Sequence, residues 1–245
     1  MFVEHIVTPG VKPMPVGRAV IGYDAALPAP SLGDFPPSFS RFQEEKLRHL
    51  PMAGETPIAA ENEAPTWVNI TLGVLTGSSF FTVTVNTAET NMTGSFFPPT
   101  VPALLQVLQG ARDPGDFIPS EHLIRLERNK LYHLRFTLGI IDHPMHLHGH
   151  AFEVIKSSGA TDLVTTNPVR KDVVATKEET IIRFRTDNPG PWYLHCHIDW
   201  HLEAGLALIF GERLDETGDG SQVIGKDWDA LCPAYDDLSP GRFRS

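Results

Sequence analysis

Seven of the eleven histidines and one of the two cysteines lie in two short stretches almost fifty residues apart. The first reads His143-Pro-Met-His146-Leu-His148-Gly-His150, the second His195-Cys196-His197-Ile-Asp-Trp-His201. Histidines scattered through a core do not reach this density beside a cysteine, so the fold must bring the two stretches together. In an extended segment side chains alternate between faces. His195 and His197 then project to one side and Cys196 to the other, and His146 and His148 share a face. Two donor groups back to back follow, joined by the short covalent path from Cys196 to its neighbours.

The rest of the chain allows such a layout. Alternating apolar residues mark strands at Val68/Ile70/Leu72, Phe81/Val83/Val85, Leu134/Phe136/Leu138 and Ile182/Phe184. Short apolar runs at Leu123–Leu126, Ala151–Ile155, Trp192–His197 and Leu206–Phe210 add four more. About eight strands with turn signals between them predict an all-β chain, a Greek-key barrel or sandwich with a few short helices. One helix is expected over VPALLQVLQG, capped by Thr100, with Pro102 in its first turn and Gly110 ending it. Before residue 65 the pattern is incomplete. Arg18–Tyr23 reads as a strand, Leu27–Pro37 as a Pro-rich linker, and Ser40–Leu50 as a short helix with Phe42, Leu47 and Leu50 on its apolar side. The division expected is therefore 1–64, a partial remnant of a preceding domain with its linker, and 65–245, one complete domain.

Charge and composition exclude some functions. A net charge of -10 argues against nucleic acid, because phosphate binding needs clustered Lys and Arg. No stretch approaches the about 20 apolar residues of a membrane span, and the first residues lack the apolar core of a signal peptide. Two sequons, at Asn69 and Asn91, are candidate glycosylation sites should the chain be secreted.

The Cys196 group has a specific chemistry. One thiolate and two imidazoles, from Cys196, His201 and the distant His143, make the donor set of a blue-copper electron-transfer site. The weak axial position falls near Leu206, which cannot donate, so the reduction potential should be high. Zinc is the competing metal, but it does not explain the second histidine face.

HPMHLHGH resembles the third copper signature of fungal laccases and related multicopper oxidases, and GPWYLHCHIDWHLEAGL resembles the fourth nearly residue for residue. FFPPTVPALLQVLQGA and DWDALCPAYDDLSP are also similar to fungal laccases. The resemblance covers about Pro65 to Ser245, and Val16–Pro30 is similar to the end of the domain before it. It implies a cupredoxin domain and the one-electron oxidation of phenols or aromatic amines coupled to reduction of O2. It assigns His143, Cys196 and His201 to the type 1 copper, His146 to the type 2 copper, and His148, His195 and His197 to the type 3 pair. Cys196, His195 and His197 then carry the catalytic path. His150 matches the motif without being an expected ligand. Asp199 and Trp200 are candidates for fixing imidazole orientation, and Phe96 or Phe97 for lining the substrate pocket. Asp142 departs from the common pattern. His5, His49, His122 and His133 match no motif.

The resemblance also implies what is missing. The first two copper signatures of the family belong to an N-terminal cupredoxin domain, and neither has a counterpart outside the two segments above. The type 1 site is thus expected complete and the type 2 and type 3 sites half present. Cys232 matches a cysteine that bonds to that first domain. The chain alone is expected not to reduce O2. Rival readings are a ferroxidase-like oxidase and a non-enzymatic copper-binding or electron-transfer module. The resemblance places the protein outside the cell.

Overall fold

The alternating segments form strands because each has one face to bury. In the computed structural model the residues described are 44–217, apart from 52–54, 61, 76, 79 and 138–140, together with Ala230 and Pro233. The chain divides into two compact units, Met1–Phe42 and Gln43–Ser245. The described residues all belong to the second. The expected strand at Arg18–Tyr23, the linker at Leu27–Pro37 and Cys232 lie outside the described residues.

Among the described residues twelve strands make two sheets. The first contains β1 (Thr66–Val74), β2 (Phe81–Asn86), β3 (Asn91–Gly94), β5 (Leu131–Thr137), β7 (Phe152–Lys156), β8 (Arg170–Lys171) and β10 (Thr180–Arg185). The second contains β4 (Leu123–Leu126), β6 (Pro144–Leu147), β9 (Val173–Ala175), β11 (Gly190–Cys196) and β12 (Ala207–Glu212). The first sheet runs β3-β2-β1-β5-β10-β7-β8 and the second β4-β12-β11-β6-β9. Pairing is antiparallel except between β1 and β5 and between β12 and β4.

The main core lies between the sheets. Val68, Ile70, Leu134, Phe136, Ile182 and Phe184 of the first sheet meet Met145, Leu147, Leu194, Cys196, Leu208 and Phe210 of the second. A smaller core covers the far face of the second sheet, where Ala207 and Ile209 pack with Phe96, Val107 and Phe117. Strand β12 is therefore buried on both faces throughout its length. That explains why Leu206–Phe210 reads as a continuous apolar run rather than an alternation.

Several expectations need correction. Three strands, β3, β8 and β9, have no counterpart among the expected ones, since two to four residues show little of a period, and β6 was expected only as the extended segment on which His146 and His148 share a face. Helix α1 (Ala103–Leu108) begins with Pro102 in the cap position and no side-chain cap, so Thr100 does not cap it; Gly110, at φ +113°, does end it. In place of a helix to Leu50, the described part of that segment has only a 3-10 turn at Glu44–Lys46, and Leu50 is 86% exposed. The described residues between 44 and 63 are bonded to the first sheet. Lys171 pairs with Glu44, Arg170 with Glu55 and Arg185 with Glu63. Arg185 Nε also donates to the Ile58 carbonyl at 2.9 Å, and Asn167 Nδ2 to that of His49 at 2.7 Å.

Candidate metal centres

Strands β6 and β11 are neighbours, with Met145 opposite Cys196, His146 opposite His195, and Leu147 opposite Leu194. The pleat then sorts the side chains. Met145, Leu147, Leu194 and Cys196 enter the inter-sheet core, while His146 and His195 lie on the outer face. His201 comes from helix α2 (Asp199–Glu203), which begins three residues after Cys196. His143 immediately precedes β6.

His143, Cys196 and His201 are all buried, and one donor atom from each lies within 4.8 Å of the others. The Cys196 sulfur is 3.7 Å from His143 Nδ1 and 3.5 Å from His201 Nδ1. Burial, added to by His201 and offset in part by Asp142, pushes His143 down to about 4. Burial likewise lowers His201. It raises the Cys196 thiol, against a hydrogen bond from the Ile198 backbone N–H. Two neutral imidazoles facing one sulfur without competing charge suit a soft metal ion. Phe81 was not singled out in the sequence, yet its ring centroid lies 4.5 Å from that of His201 and 5.4 Å from that of His143. Leu206 is fully buried in the same core, and its carbonyl accepts the Cys196 N–H at 3.1 Å.

His146, His148 and His195 form the second group by the same distance criterion. His148 Nε2 approaches His195 Nε2 to 3.0 Å. His146 donates from Nδ1 to the Asp172 carbonyl at 2.8 Å, and His195 from Nδ1 to the Cys196 carbonyl at 2.9 Å. Each bond fixes a tautomer and leaves Nε2 as the metal donor. Burial and the neighbouring imidazoles lower His148, and burial chiefly lowers His195. His197 stands apart from this tight group. It lies just past β11, is exposed, and its ring centroid is 5.8 Å from those of both His146 and His195.

The other candidates separate clearly. Asp199 and Trp200 are exposed, Trp200 at 73%, and among the described residues neither hydrogen-bonds an imidazole. Phe96 is buried against Tyr193 in the smaller core, whereas Phe97 is 45% exposed beside Phe80. A pocket of about 200 Å³ next to His143 is instead lined by Leu72, Gly73, Val74, Phe81 and Ile141. Asp142 is exposed beside it. His150 turns away from the donors and bonds Glu212 at 2.9 Å. His49 pairs with Glu55, and His122 and His133 have buried ring nitrogens; His5 lies outside the described residues. Asn91 is exposed at the start of β3, whereas Asn69 is half-buried in β1 between two paired strands. No helix among the described residues is long and apolar enough to cross a membrane.

The donor sets fit copper. A thiolate with two imidazoles suits it at one group, and three converging imidazoles suit it at the other. A single zinc site would leave the second group without a purpose.

Comparison with known proteins agrees. Residues 96–216 match the family model described as multicopper oxidase. The chain is similar to a laccase of Phlebia radiata, 46% identical over 149 residues, which are 59% of this chain and 28% of that protein. It is also similar to Laccase-2 of Pleurotus ostreatus, 43% identical over 178 residues, or 70% of this chain and 32% of that one. The chain thus spans under a third of the length of these relatives. Among solved structures it resembles Fet3p, a multicopper oxidase that functions in iron import, with a TM-score of 0.58 at 24% identity, over 86% of this chain and 42% of that chain. The laccase from Botrytis aclada gives 0.55 at 23% identity, over 91% and 41%. These two likenesses establish the fold. The region matched by the family model contains every histidine and cysteine of both donor groups, and this region of the chain belongs to the multicopper oxidase family.

Proposed function

We propose that the chain is the copper-binding C-terminal portion of a laccase-like oxidase. The observation that carries this reading is the placement of Cys196 and His195 on opposite faces of one strand, each within its own donor group. His143, Cys196 and His201 would hold a type 1 copper, His146 would serve a type 2 copper, and His148, His195 and His197 a type 3 pair. Bound copper supplies one-electron chemistry, taking electrons singly from a phenol or aromatic amine and delivering them to O2.

The protein residues do the rest. Phe81 and the surrounding core keep water from the Cys196 group. The apolar pocket at His143 accepts the flat face of an aromatic ring and gives a hydrated metal ion little to bind. That favours an organic substrate over the ferroxidase alternative, for which exposed Asp142 is the nearest carboxylate in sequence to His143. His146 and His195 hold their rings by backbone carbonyls, so the second group is oriented before any ion arrives. The remaining ligands of that cluster would come from a first cupredoxin domain facing His146 and His148. The mouth there is charged as well as apolar, since Arg170, Lys171 and Asp172 line it with the histidines.

By the same likeness, residues 1–64 correspond to the end of the preceding domain and its linker. The natural protein is taken to be extracellular, with Asn91 the more accessible of the two sequons. The test is optical. Copper-loaded chain should show an intense visible thiolate-to-copper absorption, and Cys196→Ser should abolish it. A band that survives that substitution overturns the assignment.

A further inference from the structure

We propose that Glu212 is a positioning residue for the three-imidazole group, acting through His150 and Asn188 on the turn that presents His148. This rests on reading that group as a copper site.

Glu212 ends β12 and is fully buried. A carboxyl group there is costly unless its oxygens are bonded. One oxygen accepts the His150 Nε2–H at 2.9 Å, the other the Asn188 backbone N–H at 2.7 Å. Asn188 passes the constraint on. Its Nδ2 donates to the Gly149 carbonyl at 2.8 Å, and its own carbonyl accepts Trp192 Nε1–H at 2.5 Å. Gly149 adopts φ +76° and lies on the Trp192 ring so closely that a Cβ there would stand 2.3 Å from Trp192 Cδ2. The turn His148-Gly149-His150 is thus held by Glu212 on one side, by Asn188 on its carbonyl, and by the indole beneath it. His148 leaves this grip with its backbone N–H on the Tyr193 carbonyl at 2.9 Å. The outcome is the 3.0 Å approach of His148 to His195. Glu212 touches no donor atom, so its effect is on where the His148 imidazole stands.

The test uses the full chain and two readouts. In metal-free protein, Glu212→Leu should accelerate amide hydrogen exchange at His148, Gly149 and His150 while the core strands stay protected. In copper titrations against a chelator, the thiolate band reports the Cys196 group, and the all-nitrogen paramagnetic resonance signal reports the histidine group. Loss of an outer partner of a ligand typically costs about 10- to 100-fold in metal affinity. Glu212→Leu should show a loss of that order at the histidine group only. Glu212→Gln keeps an acceptor for Asn188 and a partner for His150, and should recover most of it. Unchanged exchange at 148–150, or equal weakening at both groups, overturns the proposal. If Glu212→Leu fails to fold, Asn188→Ala decides, because it removes only the side-chain bond to Gly149. Faster exchange at the turn supports the proposal and wild-type exchange overturns it. A wild-type chain with no copper on its histidines would refute the copper reading, while the exchange readout would still judge Glu212.

Discussion

At the scale of single residues, the donors were legible and their supports were not. Histidines two apart in an extended strand announce a shared face, and a cysteine between them announces the opposite one. Phe81, Asp172 and Glu212 carry no such local signature. Asp172 reaches His146 across 26 positions and Glu212 reaches His150 across 62, through pairings that only the folded sheets create. Asp199 and Trp200 drew notice by standing beside the donors in sequence, but their side chains face outward. His133, which matches no motif, has a measurable consequence. Both its ring nitrogens are buried without a hydrogen-bond partner among the described residues, and burial, with Arg183 adding to it, pushes its pKa down to about 4. The unfolded chain takes up this proton near the ordinary value of 6.5, and the folded chain does not until about 4. The stability tied to His133 is therefore complete above 6.5 and is lost as the pH falls toward 4. Its size is at most about 3 kcal/mol, and less because the ring is only partly enclosed. His133→Leu should lose less thermal stability than the wild type between neutral pH and pH ~4.5, as melting curves of the metal-free proteins will show.

At the scale of elements, strands with one buried face were read because burial prints a period of two on the sequence. Strands with two buried faces, such as β12, were read only as apolar runs. The shortest strands leave little of a period, and β6 shows only as the extended segment on which His146 and His148 share a face. The connection from α2 to β12 shows how tightly one element can be specified. Gly205, at φ +100°, lets the chain reverse after His201, so that the Leu206 N–H returns to the His201 carbonyl at 3.0 Å. The Gly205 carbonyl in turn accepts the Phe96 N–H at 3.0 Å. A Cβ at this position would lie 2.8 Å from that of Ser95 and 3.2 Å from the Phe96 backbone. Gly205→Ala should destabilise the fold by about 1–3 kcal/mol, the usual cost of a strained backbone position. It should also shift the visible band, because His201 and Leu206 flank the turn. Denaturant unfolding and the absorption spectrum check both.

At the scale of the whole molecule, one complete donor group and one partial one predict an unfinished reaction. On the function proposed above, His146, His148, His195 and His197 would supply only part of a copper cluster. Copper-loaded chain should accept about one electron from a phenol and then stall, since the second group lacks the ligands to complete O2 reduction. An oxygen electrode will show whether this holds. Sustained consumption, with water as product, would mean that a second copy or another protein supplies the missing imidazoles.

The pleat of β11 also has a consequence for how such a sequence can change length over time. Inside Trp192–His197 a single insertion or deletion would turn every later side chain to the opposite face. Cys196 would leave the buried side for the outer one, and a histidine would take its place in the core. Both donor groups would be lost in one event, with no intermediate in which only one of them fails. The His-Cys-His triplet is therefore an indivisible unit, closed to any change in its count.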